Sequence, residues 1–81
     1  MQFDRRYIKA YRGDRWTDKL SFESLGEGDV FCLFEADGTK VYGELDGRKH
    51  FVFRATTAPR REKGIWKIET APYTGAVPEV K

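Results

Sequence analysis

The chain has 81 residues, 15 of them Lys or Arg and 13 Asp or Glu, with a formal net charge of +2, 15% aromatic residues and a single cysteine. A chain of this size makes one domain that buries only roughly 60% of the surface its unfolded form exposes, which leaves little core for a deep pocket lined with buried polar groups. Cys32 alone excludes an intramolecular disulfide, no apolar run nears the roughly 20 residues that span a bilayer, and residues 1–6 lack a signal segment, so a cytoplasmic setting without a membrane partner is expected.

Residues 3–11 fit a helical stripe (Phe3, Tyr7, Ala10, Tyr11) and also a strand with Phe3, Tyr7 and Tyr11 on one side. Tyr and Ile favour the strand, and Arg12-Gly13-Asp14 reads as a turn into Arg15-Trp16-Thr17. Residues 1–20 are thus an N-terminal arm or hairpin. Phe22 and Leu25 precede a tight corner at Gly26-Glu27-Gly28-Asp29. That corner lacks the Lys-Ser/Thr pair and the following helix of a phosphate loop.

Val30 to Glu35 reads as a strand. Two Asp-Gly pairs follow, Asp37-Gly38 and Asp46-Gly47, nine residues apart, each a strong hairpin signal. A two-residue turn at Asp37-Gly38 sets Glu35 against Lys40, Phe34 against Val41, Cys32 against Gly43 and Val30 against Leu45. A two-residue turn at Asp46-Gly47 would bring Arg48, His50 and Arg54 onto the core face. A three-residue loop, Asp46-Gly47-Arg48, instead sets Phe51 against Gly43 and Phe53 against Val41. This meander buries Val30, Cys32, Phe34, Val41, Leu45, Phe51 and Phe53 on one face. Phe31, Leu33 and Tyr42 point outward, and Gly43 makes room for the Phe51 ring.

Thr57 to Gly64 holds Pro59 and Arg60-Arg61-Glu62-Lys63 and reads as a protruding loop. Gly64 to Glu69 is the last strand, with Trp66 and Ile68 on one face and Ile65, Lys67 and Glu69 on the other. Pro72, Gly75 and Pro78 then break regular structure, so residues 71–81 are an irregular tail, loose or laid along the sheet by Tyr73 and Val77. The meander core spans residues 21–70. About five short strands with tight turns predict a mostly β domain, a small partly open antiparallel barrel or roll.

Little in this pattern supports chemistry. The single histidine, His50, faces Glu44 outside the core, with no nucleophile placed beside it. One Cys and one His cannot close a zinc site, and the carboxylates lack calcium-loop spacing. No catalytic residue, metal or cofactor is implied, and the expectation is a protein that is not an enzyme.

Charge is blocked along the chain. Residues 1–20 carry six basic and three acidic side chains, 21–47 one and seven, 48–67 seven and one, and 68–81 one and two. Adjacent strands can pair such blocks, which would make them plain solvated faces. The leading functional expectation is a non-enzymatic module that binds a protein partner through Trp16, Phe31, Tyr42, Arg60 and Arg61. The alternative is a nucleic-acid contact made by Arg48, Arg54, Arg60, Arg61, Lys63 and Lys67. Burial of Phe51 and Phe53 counts against it, because it leaves Trp66 as the one ring among those cations. A structural piece of a larger assembly is the third reading, and no motif encodes the oligomeric state.

The stretch Leu25-Gly26-Glu27-Gly28-Asp29-Val30-Phe31, with Phe34-Glu35-Ala36-Asp37-Gly38 and Gly64-Ile65-Trp66-Lys67-Ile68-Glu69, resembles small phage- and prophage-encoded β-barrel proteins of unassigned activity, over residues 22–70. The corner at Gly26-Glu27-Gly28-Asp29 is also similar to the turn entering SH3-like barrels, an analogy of fold alone. The resemblance implies an accessory role, such as docking on a host or phage protein complex in a bacterial cytoplasm. It transfers no catalytic residue.

Overall fold

The computed structural model describes residues 6–80, apart from the side chain of Leu45. Among these residues nine strands follow one another: β1 (Tyr7–Arg12), β2 (Arg15–Trp16), β3 (Val30–Phe34), β4 (Gly43–Leu45), β5 (Arg48–His50), β6 (Phe53–Ala55), β7 (Arg60–Glu62), β8 (Ile65–Lys67) and β9 (Thr70–Pro72). Five of them form one antiparallel sheet in the order β2-β1-β3-β6-β9, and β4–β5 and β7–β8 are separate two-stranded hairpins. The only helical element among the described residues is a 3-10 turn at Phe22–Ser24. The fold is therefore mostly β, as its turn-rich sequence predicts.

The strand reading of the N-terminal region holds over Tyr7–Arg12, while Phe3 lies outside the described residues. β1 forms a hairpin with β2, pairing Tyr11 with Trp16 and Arg12 with Arg15. It runs between β2 and β3, pairing Tyr7 with Phe34 and Tyr11 with Val30. Ile8 and Ala10 are fully buried on one face. There they join Leu25, Phe31 and Ala55, with Leu20, Phe22, Leu33, Phe53 and Ile68 packed around them. The opposite face collects Cys32, Phe34 and Val80, with Tyr7, Trp16 and Val52.

This division corrects the expected core. Cys32 and Phe34 lie on one face, Phe53 lies on the other beside Phe31, and Phe51 is 39% exposed. Val30 and Val41 are half-buried, and the expected burial of Leu45 lies outside the described residues. Phe31, expected outside, is only 2% exposed. The reason is that β3 sits at the centre of the sheet with both faces covered. An unbroken run such as Val-Phe-Cys-Leu-Phe is what a doubly buried strand needs, and alternation then says nothing about which face is dry.

Both loop lengths also differ from expectation, by one residue each. At the first, the Gly38 N–H donates to the Glu35 carbonyl at 2.9 Å and the Glu35 N–H to the Thr39 carbonyl at 2.8 Å. With Gly38 at φ +92°, this is a three-residue loop, Ala36-Asp37-Gly38, with the glycine in the bulge position. Phe34 consequently bridges to Lys40, and Glu35 binds Arg6 through two hydrogen bonds of 2.9 and 3.0 Å. At the second, Asp46 and Gly47 both have positive φ, 54° and 75°. That is the two-residue type I′ turn, and it pairs Leu45 with Arg48, Glu44 with Lys49 and Gly43 with His50. The burial argument for the longer loop fails because the β4–β5 hairpin leaves the main sheet. Its place beside β3 is taken by β6, which pairs Phe31 with Phe53. With no core face to satisfy, turn chemistry alone sets the register. The His50 ring, not Phe51, fills the space over Gly43, where a Cβ would come within 2.7 Å of His50 Nε2.

The expected loop at 57–64 is in part a third hairpin. Lys63 and Gly64, again both at positive φ, turn β7 into β8 and set Arg61 opposite Trp66. The corner before β3 is tied down by one carboxylate. Asp29 Oδ2 accepts from the Gly26 N–H and from Arg12 Nη2, each at 2.8 Å, and Arg12 Nη2 also reaches the Ser24 carbonyl. After β9 the chain crosses the Cys32 face without regular structure. Tyr73 and Val77 are half-buried, and the deepest anchor, packed on Cys32 and Phe34, is Val80.

Candidate binding surfaces

The two hairpins leave β6 by its opposite ends, β4–β5 before Phe53 and β7–β8 after Ala55. This topology divides the basic 48–67 segment. Arg48 is on β5 and Arg54 on β6, while Arg60, Arg61, Lys63 and Lys67 share the β7–β8 hairpin. All six are exposed. Arg54 stands opposite Val30 and so projects from the Cys32 face of the sheet. Four of the six thus share one hairpin, and the other two lie on separate strands.

The residues expected to meet a protein partner are equally dispersed. Phe31 is in the core and offers nothing to solvent. Trp16, on edge strand β2, is half-buried, and its indole N–H donates to the Pro78 carbonyl at 2.9 Å. Arg60 is bound to Glu62 at 3.3 Å, and Lys67 shares the same carboxylate at 3.2 Å. The Arg61 guanidinium lies over the Trp66 ring at 5.8 Å.

Tyr42 is the expected residue whose setting the structure makes most informative. It is 48% exposed and meets Phe51 edge-on, with ring centroids 6.0 Å apart. Lys49 Nζ lies 4.5 Å from the Tyr42 centroid and Lys40 Nζ 5.9 Å from that of Phe51. Strand alternation places Lys40, Tyr42, Glu44, Lys49 and Phe51 on one face of this hairpin. The result is a continuous array, cation–ring–ring–cation. A ring pair of this kind is worth about 0.5–1.5 kcal/mol beyond its burial. An exposed cation over a ring adds about 0.5–1 kcal/mol. Sequence reasoning missed Phe51, Lys40 and Lys49 because it assigned Phe51 to the core. The two left-handed positions that Asp46-Gly47 invites were the signal that could have found them.

The ionisable groups with displaced pKa values are structural. Burial pushes the Cys32 thiol up to about 11, the Lys40 charge offsetting only part of the rise. A protonated, buried thiol is a small core side chain, as the sequence suggests. Burial alone would raise the Asp29 carboxyl. Hydrogen bonds from Arg12 and from the Gly26 N–H, together with the Arg12 charge, outweigh it and hold the group below the usual carboxylate range. Asp37 is lowered by its hydrogen bonds from Thr39, first from the side-chain hydroxyl and then from the backbone N–H at 2.9 Å.

His50 stacks edge-on against Phe53 at 5.0 Å and stands opposite Gly43, not Glu44 as expected. Among the described residues there is no group of three or more His, Cys, Asp or Glu side chains placed to hold a metal ion. No helix among them is long and apolar enough to cross a membrane. No family model, curated protein or solved structure matches the chain.

Proposed function

We propose that the chain is a non-enzymatic binding module that docks on a protein partner through the Tyr42 face of the β4–β5 hairpin. The kind of role is that of a phage-type accessory protein engaging a host or phage complex. The observation that carries this reading is the exposed Tyr42–Phe51 pair with Lys40, Lys49 and Glu44 about it. Protein interfaces concentrate binding energy in central aromatic anchors and leave charged groups at the rim. The main sheet, read as an SH3-like, partly open roll, serves as the rigid base of the hairpin. Arg60 and Arg61 on β7 are a secondary contact.

The test is a comparison of two double variants against one purified partner. Partners are first captured from bacterial lysate, then reconstituted and measured by calorimetry. Tyr42→Asp with Phe51→Asp is expected to weaken binding by at least about 100-fold, since anchor residues carry about 2 kcal/mol or more each. Arg60→Glu with Arg61→Glu changes affinity by about tenfold or less, as rim charges do. Unchanged affinity in the aromatic variant overturns the reading.

Nucleic acid is the second reading, supported by the Arg61–Trp66 contact beside exposed Arg60, Lys63 and Lys67. A labelled single-stranded oligonucleotide titrated at two salt concentrations tests it. Tight binding that falls steeply with salt favours it, and absence of binding at low salt removes it.

A further inference from the structure

The best-defined recognition geometry in this chain is one that it makes with itself. Residues 73–80 have no regular structure, yet they run across the sheet face that carries Tyr7, Cys32 and Phe34. Val80 is 8% exposed and fills a socket made by Cys32 and Phe34, with Tyr7, Trp16 and Val52 around it. Two residues earlier, the Pro78 carbonyl accepts the Trp16 indole N–H at 2.9 Å. The rings of this groove are held in place. Tyr11 meets Trp16 at 5.2 Å, and Tyr7 stacks on Phe34 at 5.0 Å with planes 7° apart. Pro78 fixes its own φ and biases Val77 to extended backbone, so Pro78-Glu79-Val80 arrives already straightened.

We propose that this groove is a peptide-recognition site for an extended segment of a partner protein with the pattern proline, any residue, aliphatic, and that residues 78–80 occupy it in cis. Each part of the pattern has a counterpart. The indole N–H selects a carbonyl, the socket over Cys32 and Phe34 takes the aliphatic side chain, and the proline lowers the ordering cost of the strand. The middle residue, Glu79, is exposed and is therefore unspecified. An open depression of about 410 Å³ continues the groove past Trp16 and Pro78, bordered by Lys9, Arg15 and Asp18. A longer partner segment gains contacts there that residues 78–80 do not make.

The cis segment is built to yield. Thr74, Gly75 and Ala76 are exposed, so little fixes its middle. A tethered segment competes at an effective concentration on the order of millimolar. A free peptide of equal local affinity therefore displaces it only near that concentration, while a partner with added contacts does so far below it. This groove is distinct from the β4–β5 hairpin face, and neither assignment depends on the other.

The experiment uses the isotope-labelled full chain and a synthetic peptide with the sequence of residues 74–80. In the native protein, peptide on the order of millimolar is expected to shift the Trp16 indole N–H and the amides of Tyr7, Cys32 and Phe34, and to move the residue 78–80 signals to free-chain positions. Val80→Ser loosens the cis segment and is expected to lower the half-saturating concentration by about tenfold or more. Trp16→Phe keeps a ring but removes the N–H donor from cis segment and peptide alike, so it is added to Val80→Ser, where the cis competitor is loosened, and there is expected to raise the half-saturating concentration about five- to tenfold. A control peptide carrying serine at the valine corresponding to Val80 leaves the spectrum unchanged. No response of those signals in the native protein, or an equal response to the control peptide, overturns the proposal. So does exchange of the segment between two copies, seen as a dimer of Val80→Ser that ignores added peptide. If Val80→Ser does not fold, the titration of the native protein still decides.

Discussion

Replacing Phe31 and Phe51 by alanine, one at a time, separates the observed sheet from the meander that hydrophobic alternation suggests. Phe31 is 2% exposed, pairs across the strands with Phe53, and holds that ring at 5.8 Å. It also sits in the cluster of Ile8, Ala10, Leu25 and Ala55, where a lost ring leaves a cavity between strands fixed by their hydrogen-bonded register. Truncating a buried Phe costs about 3–5 kcal/mol. Phe51 is 39% exposed and keeps only the edge-on contact with Tyr42 and the Lys40 ammonium. Its loss is worth about 1 kcal/mol. For 81 residues the whole stability is on the order of 4–12 kcal/mol, so Phe31→Ala removes a large share of it. Urea unfolding followed by tryptophan fluorescence reads both variants. With a slope of roughly 1 kcal/mol per molar, the midpoint falls by about 3 M or the protein is unfolded in water for Phe31→Ala, and falls by about 1 M for Phe51→Ala. The meander register predicts the reverse order. A Phe51→Ala variant as damaged as Phe31→Ala would refute the assignment of β3 to the sheet centre.

Gly43→Ala is expected to cost about 1 kcal/mol, because the new Cβ comes within 2.7 Å of His50 Nε2 and 3.3 Å of Phe53 Cε1. Adding His50→Ala should recover most of it, and additive losses in the double-mutant cycle would contradict that contact. Asp29→Asn is expected to lower stability by about 1–2 kcal/mol at neutral pH, through the weakened bonds to Arg12 and Gly26. The folded carboxyl lies below its ordinary value of 3.8, so its contribution is full above that value and is lost as pH falls through the folded pKa. The native protein and Asp29→Asn should therefore converge as the folded carboxyl is protonated in acid, and a gap that does not narrow as pH falls would show the effect is not one of charge. Cys32, with its thiol pushed up to about 11 and nearly no exposure, is expected to resist alkylation at pH 8 until the chain unfolds. Rapid labelling of the native protein would count against its burial.

What the sequence discloses here depends on how many faces of each strand are covered. The hairpin signals at Asp46-Gly47 and around Asp37-Gly38 were legible because turn geometry is local, and each produced a turn. The strand at Val30–Phe34 and the buried Cys32 were legible from composition. The partner of each strand was not. β3 pairs with β1 and β6, across separations of 19 to 27 residues that no local pattern encodes. The sequence analysis used burial to choose between two loop lengths, which is sound only for a hairpin that stays on the core. The β4–β5 hairpin leaves it, so the second loop is one residue shorter than burial selects, while the first is one longer because Gly38 takes the bulge position of a three-residue loop. Tyr42 survived as a surface residue because it precedes β4, whereas Phe31 and Phe51 exchanged places.

The same geometry explains why binding surfaces are available on so short a chain. An antiparallel sheet can leave one face to water, but here both carry apolar cover, one from Leu20, Phe22, Leu25 and Ile68 and the other from Val52 and the segment ending at Val80. Stability therefore rests on the sheet and its two layers of cover, not on the hairpins. β4–β5 and β7–β8 can then carry Tyr42, Phe51, Arg61 and Trp66 at the surface without weakening the core. The second layer differs in kind from the first. The residues after β9 are tied in by the Tyr73 N–H on the Val52 carbonyl, the Pro78 carbonyl on Trp16, and one buried valine. Fully burying a valine is worth about 1.5–3 kcal/mol and each neutral hydrogen bond about 1 kcal/mol, so this segment opens at a cost of roughly 3.5–5 kcal/mol, toward the lower end of the whole chain's stability. Hydrogen exchange distinguishes the two layers directly. The Trp16 indole N–H should exchange through this local opening, faster than the β1–β3 amides. Equal protection at both would mean that residues 73–80 are part of the cooperative core and not a cover that can lift.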